Sequence, residues 1–272
     1  HLIEGGKQVL CLPGATLDLS GMLRGRLDPC GCAANQKGGL AVRRTFLWQR
    51  RAVGALAIEG GGFLPEERWG EPFARTVGRI ALQCLGAGEG CMDYAACGVG
   101  ALDLILGAGT RKELAAETRA PPLRACDLVD ERGAAAFRPW IVLPFGETRV
   151  WVTALTRRPL PSRARGIGRL PWRAALGAAL AAAPSDSYRV LLLDGNGAEA
   201  EAAAAAFPGR IDLILTALDE YNPTPSSMLR SARGATILDP GGGGRHVLEV
   251  NLLRKAGRTE LQSYIPHPLT PL

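Results

Sequence analysis

Histidine is nearly absent from this sequence: His1, His246 and His267 are the only three. None has a neighbouring ligand or nucleophile, so nothing supports a His-rich zinc site, a Ser-His-Asp arrangement or a Cys-His arrangement. Cys-x-x-Cys-His is missing too, which excludes covalent c-type haem on this chain. His246 and His267 therefore read as surface or hydrogen-bonded residues. His1 would chelate copper through its amine and imidazole only as a true mature N-terminus. Lysine stands only at Lys7, Lys37, Lys112 and Lys255, and the net charge of +6 comes from scattered arginines. With no basic stripe interleaved with aromatics, no nucleic-acid partner is expected. The longest apolar run, Ala174–Ala183, is too short and too Ala-rich to span a bilayer. No Lys-Ser/Thr closes a glycine loop and no strand–GxGxxG–helix occurs, so nucleotide-binding loops of those kinds are excluded.

What the chain has is cysteine, seven residues of it, and glycine, 35 residues. An odd cysteine count leaves at least one thiol free, shared with another chain, or bound to something. Cys30 and Cys32 lie one residue apart in "DPCGC". Cys84 and Cys91 flank "LGAGEG" and form the natural local pair, while Cys11 and Cys126 sit in apolar surroundings and read as buried thiols. The glycine runs "EGGG" and "DPGGGGRH", near Arg24 and Arg245, read as tight turns before anion sites. Apolar runs at 8–14, 53–62, 138–146, 149–156, 188–197, 210–218, 234–244 and 245–253 read as strands. Helical spacing and alanine propensity place helices at 38–51, 73–86, 172–183 and 198–207. Strands alternating with helices make the class α/β. Residues 157–171 read as a linker between two βα halves, and Tyr264–Leu272 as an extended, Pro-rich tail, loosely packed or wrapped on a neighbour.

Six segments, in order, resemble the calcineurin-like metallophosphoesterases, in particular the N-terminal domain of bacterial 5′-nucleotidases. They are "GRLDP…GGLAVRR", "IEGGGF", "DYAACGVGALDL", "VLLLDGN", "GRIDLILTALDE" and "ILDPGGGGRHVLEVNL". The resemblance implies one domain over 1–272 in a four-layer fold, two central mixed sheets flanked by helices. It also implies two metal ions held by Asp, His and Asn at strand ends, activating water against a phosphate. Carried over residue by residue, those ligands fall on Met22, Arg24, Gly62, Val99, Gly100, Gly195, Leu218 and Glu220. Most of these side chains cannot hold a hard cation. Another register of the first motif keeps Asp18, with Ser20 at the His position, and one carboxylate does not hold two metals.

The expectation is a scaffold without the parent catalysis, without cofactor or metal, and without the second domain that recognises nucleotides in 5′-nucleotidases. The "DPCGC" loop resembles a branch of that family found with multihaem c-type cytochromes. That resemblance implies a periplasmic or extracellular accessory subunit that binds such a protein, its signal peptide removed. The alternative is a thiol-based redox protein or a hydrolase with one noncanonical metal, built on Cys30 and Cys32. For Cys30, Cys32, Cys84, Cys91 and Cys97 the readings are structural disulfide, redox or metal site, and inert thiol. Cys30, Cys32 and Cys97 are expected near the mouth of the former metal site.

Overall fold

The computed structural model describes residues 14–31, 36–66, 69–107, 113, 116, 119, 121–216 and 228–271. Four helices and fourteen strands alternate among them. β1 (Gly14–Ser20), α1 (Leu40–Ala52), β2 (Leu56–Glu59), α2 (Glu71–Leu85), β3 (Ala96–Gly98), β4 (Leu123–Arg124) and β5 (Leu128–Asp130) make up the first part. Then come β6 (Trp140–Phe145), β7 (Thr148–Thr156), β8 (Ile167–Arg169), α3 (Trp172–Ala181), β9 (Ser187–Asp194) and α4 (Gly197–Ala206). β10 (Leu213–Thr216), β11 (Leu229–Ala232), β12 (Ala235–Leu238), β13 (His246–Lys255) and β14 (Arg258–Pro268) complete the order. A short 3-10 turn, Leu102–Leu104, follows β3.

The strands form two six-stranded sheets, β14-β13-β1-β2-β3-β4 and β11-β12-β10-β9-β7-β6, plus the small ribbon β5-β8. Both six-stranded sheets are mixed. In the first, β1, β2, β3 and β4 run parallel, β13 runs antiparallel to β1, and β14 runs antiparallel to β13. Alternating side chains explain how the sheets stack. Leu17, Leu19 and Ile58 of the first sheet meet Val152, Ala154, Val190, Leu192, Leu213 and Leu215 of the second in the central core. The intervening residues face outward. Ala57 and Cys97 pack under Leu47 of α1 and Ala74, Ala81 and Leu82 of α2. Trp151, Leu191, Leu193 and Ile214 pack under α3 and α4. β9 is buried on both faces, which is why "VLLL" is an unbroken apolar run.

α4 begins with a capping box, Asn196 accepting from the Glu199 N–H while the Glu199 carboxylate accepts from the Asn196 N–H. Its alanines favour the helix because they lose no side-chain entropy, and Ala200, Ala203 and Ala204 pack into the core. Two expectations need correction. The tail is not loose: Tyr264–Pro268 belong to β14, hydrogen-bonded along β13, and buried Leu269 bridges the Arg245 carbonyl and the Gly38 N–H. Nor are residues 157–171 a bare linker, since β8 pairs with β5 there. A strand expected at 8–14 lies outside the described residues except for Gly14. No helix among the described residues is long and apolar enough to cross a membrane.

Candidate functional site

The parallel strands β1, β2 and β3 end together, and so do β9, β10 and β12 of the other sheet. Glycine lets the two sets of ends approach. A Cβ on Gly98 would lie 2.5 Å from the Gly60 carbonyl oxygen and 3.3 Å from Leu192, and one on Gly60 would lie 3.2 Å from Leu215. The loop after β1 is laced to the loop after β2: the Met22 and Arg24 N–H groups donate to the Gly61 and Gly62 carbonyls at 2.9 and 2.8 Å. The Gly243 N–H closes the same loop onto the Met22 carbonyl at 2.8 Å. Met22 and Arg24 hold positive φ (53° and 51°), a conformation that side chains rarely take.

Met22, Gly62, Gly100 and Gly195 sit at these strand ends, but none presents a ligand. The Met22 thioether is buried against Gly62, where a Cβ would lie 2.5 Å from its sulfur. Val99 points into an apolar cluster with Leu104, Ala125 and Leu128. Gly100 lies against the Asp194 carboxyl, 3.1 Å from a Cβ built there, and Gly195 lies against the Glu199 carboxylate. Arg24 is 4.0 Å from Glu66. Leu218 and Glu220 lie outside the described residues.

The carboxylates nearby are committed to the backbone or to arginine. Asp103 accepts four N–H groups, from Gly62 (2.7 Å), Phe63 (2.8 Å), Leu64 (3.2 Å) and Gly100 (2.8 Å). Asp194 accepts from the Ala101 N–H and pairs with Arg158 Nε at 3.0 Å; burial pushes its carboxyl up to about 6. Glu59, at the end of β2, is fully buried and accepts from Arg43 Nη1 at 2.9 Å and from Ser20 at 2.7 Å. Burial raises the Glu59 carboxyl and the guanidinium of Arg43 opposes it. Tyr94 hydrogen-bonds Ser20 at 2.7 Å and closes the cluster. Asp18 lies away from these ends, paired with Arg50 at 3.4 Å, and is pushed up to about 6 chiefly by burial.

Among the described residues no group of three His, Cys, Asp or Glu side chains is placed to hold a metal ion. A thioether, three bare glycines and an aliphatic side chain at strand ends do not fit a dinuclear centre of hard cations. Sequence reasoning missed Arg43, Glu59, Asp103, Asp194 and Arg158. A signal existed for some: Asp103 follows Gly100 by three residues in "GALDL", and Asp194 ends an apolar run.

No disulfide joins two of the described cysteines, Cys30, Cys84, Cys91, Cys97 and Cys126; Cys11, Cys32 and His1 lie outside the described residues. Cys97 does not reach the strand-end mouth, because its side chain is buried in the core beneath α1 and α2. Cys30 forms a bridge with Lys37, and Arg26 Nη1 donates to its sulfur at 2.8 Å. Cys126 is pushed up to about 12 by burial and by Asp127 beside it. His246 is a buried strand residue, not a surface one, and is held below its usual range by burial and Lys37. His267 pairs with Glu249 at 2.8 Å.

No protein-family model matches the sequence, and no curated protein sequence matches it either. Solved structures do. The chain is similar to a sulfate thiohydrolase, SoxB, of Thermus thermophilus, with 17% identity and a TM-score of 0.73 over 94% of this chain and 56% of that one. It is similar to a 5′-nucleotidase precursor of the same organism, with 15% identity and a TM-score of 0.72 over 93% and 54%. A calcineurin-like phosphoesterase, YfkN, of Bacillus subtilis gives 11% identity and a TM-score of 0.68 over 94% and 91%. The chain thus spans about half the length of the first two. Two mixed sheets face to face between helical layers, over nearly the whole chain, are the fold of the calcineurin-like phosphoesterases.

Proposed function

We propose that this chain is a phosphoesterase-fold domain that has given up dinuclear phosphoester chemistry and binds another protein as an accessory subunit. One observation carries the reading: the Met22 thioether, seated on Gly62, fills strand-end space with an apolar plug. Exposed Trp48, Val53, Trp69 and Phe73 on or beside α1 and α2, with the Trp69 and Phe73 rings in a tilted contact at 5.6 Å, support a protein-binding role. The likeness of the "DPCGC" loop extends the proposal to an extracytoplasmic assembly with a multihaem c-type cytochrome. A phosphodiesterase assay of the full chain with added manganese, alongside elemental analysis, tests the catalytic half; no turnover and no tightly held metal are expected. Turnover with bound metal overturns it. Copurification from native membranes or secretions tests the partner half, and a lone monomer in every preparation overturns that.

A second reading rests on the Arg26–Cys30 contact, which places a cation on the thiol of the "DPCGC" loop: a thiol redox protein using Cys30 and Cys32. Thiol titration before and after reduction separates the two, because finding Cys30 and Cys32 both locked to distant cysteines removes the redox reading.

A further inference from the structure

At the other end of β3 from the strand-end site, the chain leaves α2, turns through "GAGEG" and folds back on itself. The Met92 N–H donates to the Cys84 carbonyl at 2.8 Å, the Asp93 N–H to Gly86 at 2.9 Å and the Tyr94 N–H to Leu85 at 3.2 Å. Gly88 and Gly90 take positive φ (127° and 80°), which lets the turn close. A bond from Met92 N to Cys84 O bounds the Cα separation of Cys84 and Cys91. Adding about 2.4 Å of backbone at each end gives at most about 7.6 Å, a ceiling just above the disulfide range of about 4.4–6.8 Å, and Cys91 lies near enough to act on the Cys84 thiol. Both thiols are free and half-buried.

They are not equivalent. Cys91 lines a cavity of about 410 Å³ with Arg79, Gln83, Glu89 and Arg119. Cys84 sits behind, in the last turn of α2, packed against the core. Burial and the neighbouring Cys91 raise the Cys84 thiol, and Arg44, which also reaches Gly90, opposes them. Two guanidiniums suit two carboxylates, and Glu89 suits an ammonium. A sulfur beside them suits a disulfide.

We propose that Cys84 and Cys91 are a thiol–disulfide exchange site for a small zwitterionic peptide disulfide of the oxidised-glutathione kind. The Cys91 thiolate attacks one sulfur of the disulfide, breaking its S–S bond and expelling one peptide thiolate, which takes a proton. Cys84 then loses its proton and attacks the Cys91 sulfur, breaking the mixed disulfide and releasing the second peptide thiol. The protein dithiol is oxidised by two electrons to the Cys84–Cys91 bridge, and the peptide disulfide is reduced to two thiols. This stands independently of the binding-subunit reading.

The experiment incubates the full chain with oxidised glutathione and follows the products by intact mass and peptide mapping. Wild type is expected to end as a Cys84–Cys91 bridge with no adduct at either residue. Cys84→Ser is expected to retain one glutathione on Cys91, and Cys91→Ser to retain none at Cys84 on that timescale. The double variant Arg79→Gln/Arg119→Gln is expected to react about tenfold more slowly with oxidised glutathione, and at an unchanged rate with neutral hydroxyethyl disulfide. The proposal is overturned if Cys91 in Cys84→Ser takes no adduct, or if Cys84 in Cys91→Ser reacts as fast as wild type. It is also overturned if the two disulfides are slowed alike.

Discussion

The two ends of β3 contrast. At and beyond its C-terminal end lie Gly98, Val99 and Gly100, where the side chains are inert and the nearby carboxylates are tied to backbone amides and arginines. Before its N-terminal end lies the 84–92 loop, where the Cys91 thiol and the guanidiniums of Arg79 and Arg119 line a cavity and the Cys84 thiol sits behind it. The difference is one of commitment. At the strand ends polar groups hold the two sheets' loops in place, so they are spent on structure. At the loop, polar groups have solvent-facing space and no structural debt.

Breaking the committed end should therefore cost stability, and the largest effect is expected at Arg43. Arg43→Met leaves Glu59 buried without its cation and should cost about 3–5 kcal/mol in urea denaturation, whereas Arg43→Met/Glu59→Gln should recover most of it. If the double variant is as unstable as the single one, the ion pair is not the reason. Asp103→Ala strands four buried N–H groups and should cost about 3 kcal/mol or more, with Asp103→Asn milder because one oxygen still accepts. Near-wild-type denaturation of the alanine variant would remove Asp103 as the organiser of these loops.

Gly62→Asp puts a carboxylate where the Met22 sulfur lies, at a φ of 73°. A loss of about 2–4 kcal/mol is expected, partly relieved by Met22→Ala. A double-mutant cycle with no coupling would show that Met22 does not fill that space. The smallest effect is in pH. Burial raises Asp18 from 3.8 to about 6. A folded pKa above the unfolded one stabilises below about pH 4, and the contribution is lost as pH rises through about 6. Asp18→Asn should thus gain on wild type by about 2–3 kcal/mol between pH 4 and pH 7, read from paired denaturation curves. A gain in the opposite direction contradicts the buried-carboxyl account.

The sequence made the second sheet easy to read and the first harder. β7, β9 and β12, buried on both faces, show as apolar runs, and the four helices fall close to their expected bounds. β1 carries Asp18 and Ser20, and β14 alternates charged and polar residues, so neither stands out by hydrophobicity. β14 pairs with β13 on one side only, and its half-exposed residues need no apolar character. For the site, spacing in the sequence does not say what fills the strand ends. That Met22 packs on Gly62, and that Cys97 turns to the helices, depends on strand pleat and neighbour packing that spacing alone does not encode.

The place of β1 has a consequence for the order of folding. It lies between β2 and β13, and Thr16 bonds Asn251 across 235 positions of chain. During synthesis β2 and β3 can gather beside β1 early, yet one whole side of β1 stays unpaired until β13 is made. The first sheet closes only at the end, and contacts of such long separation are entropically slow to form. A ribosome-bound chain stopped before residue 246 therefore carries an open parallel sheet edge, which is the form that chaperones or neighbouring chains would meet first.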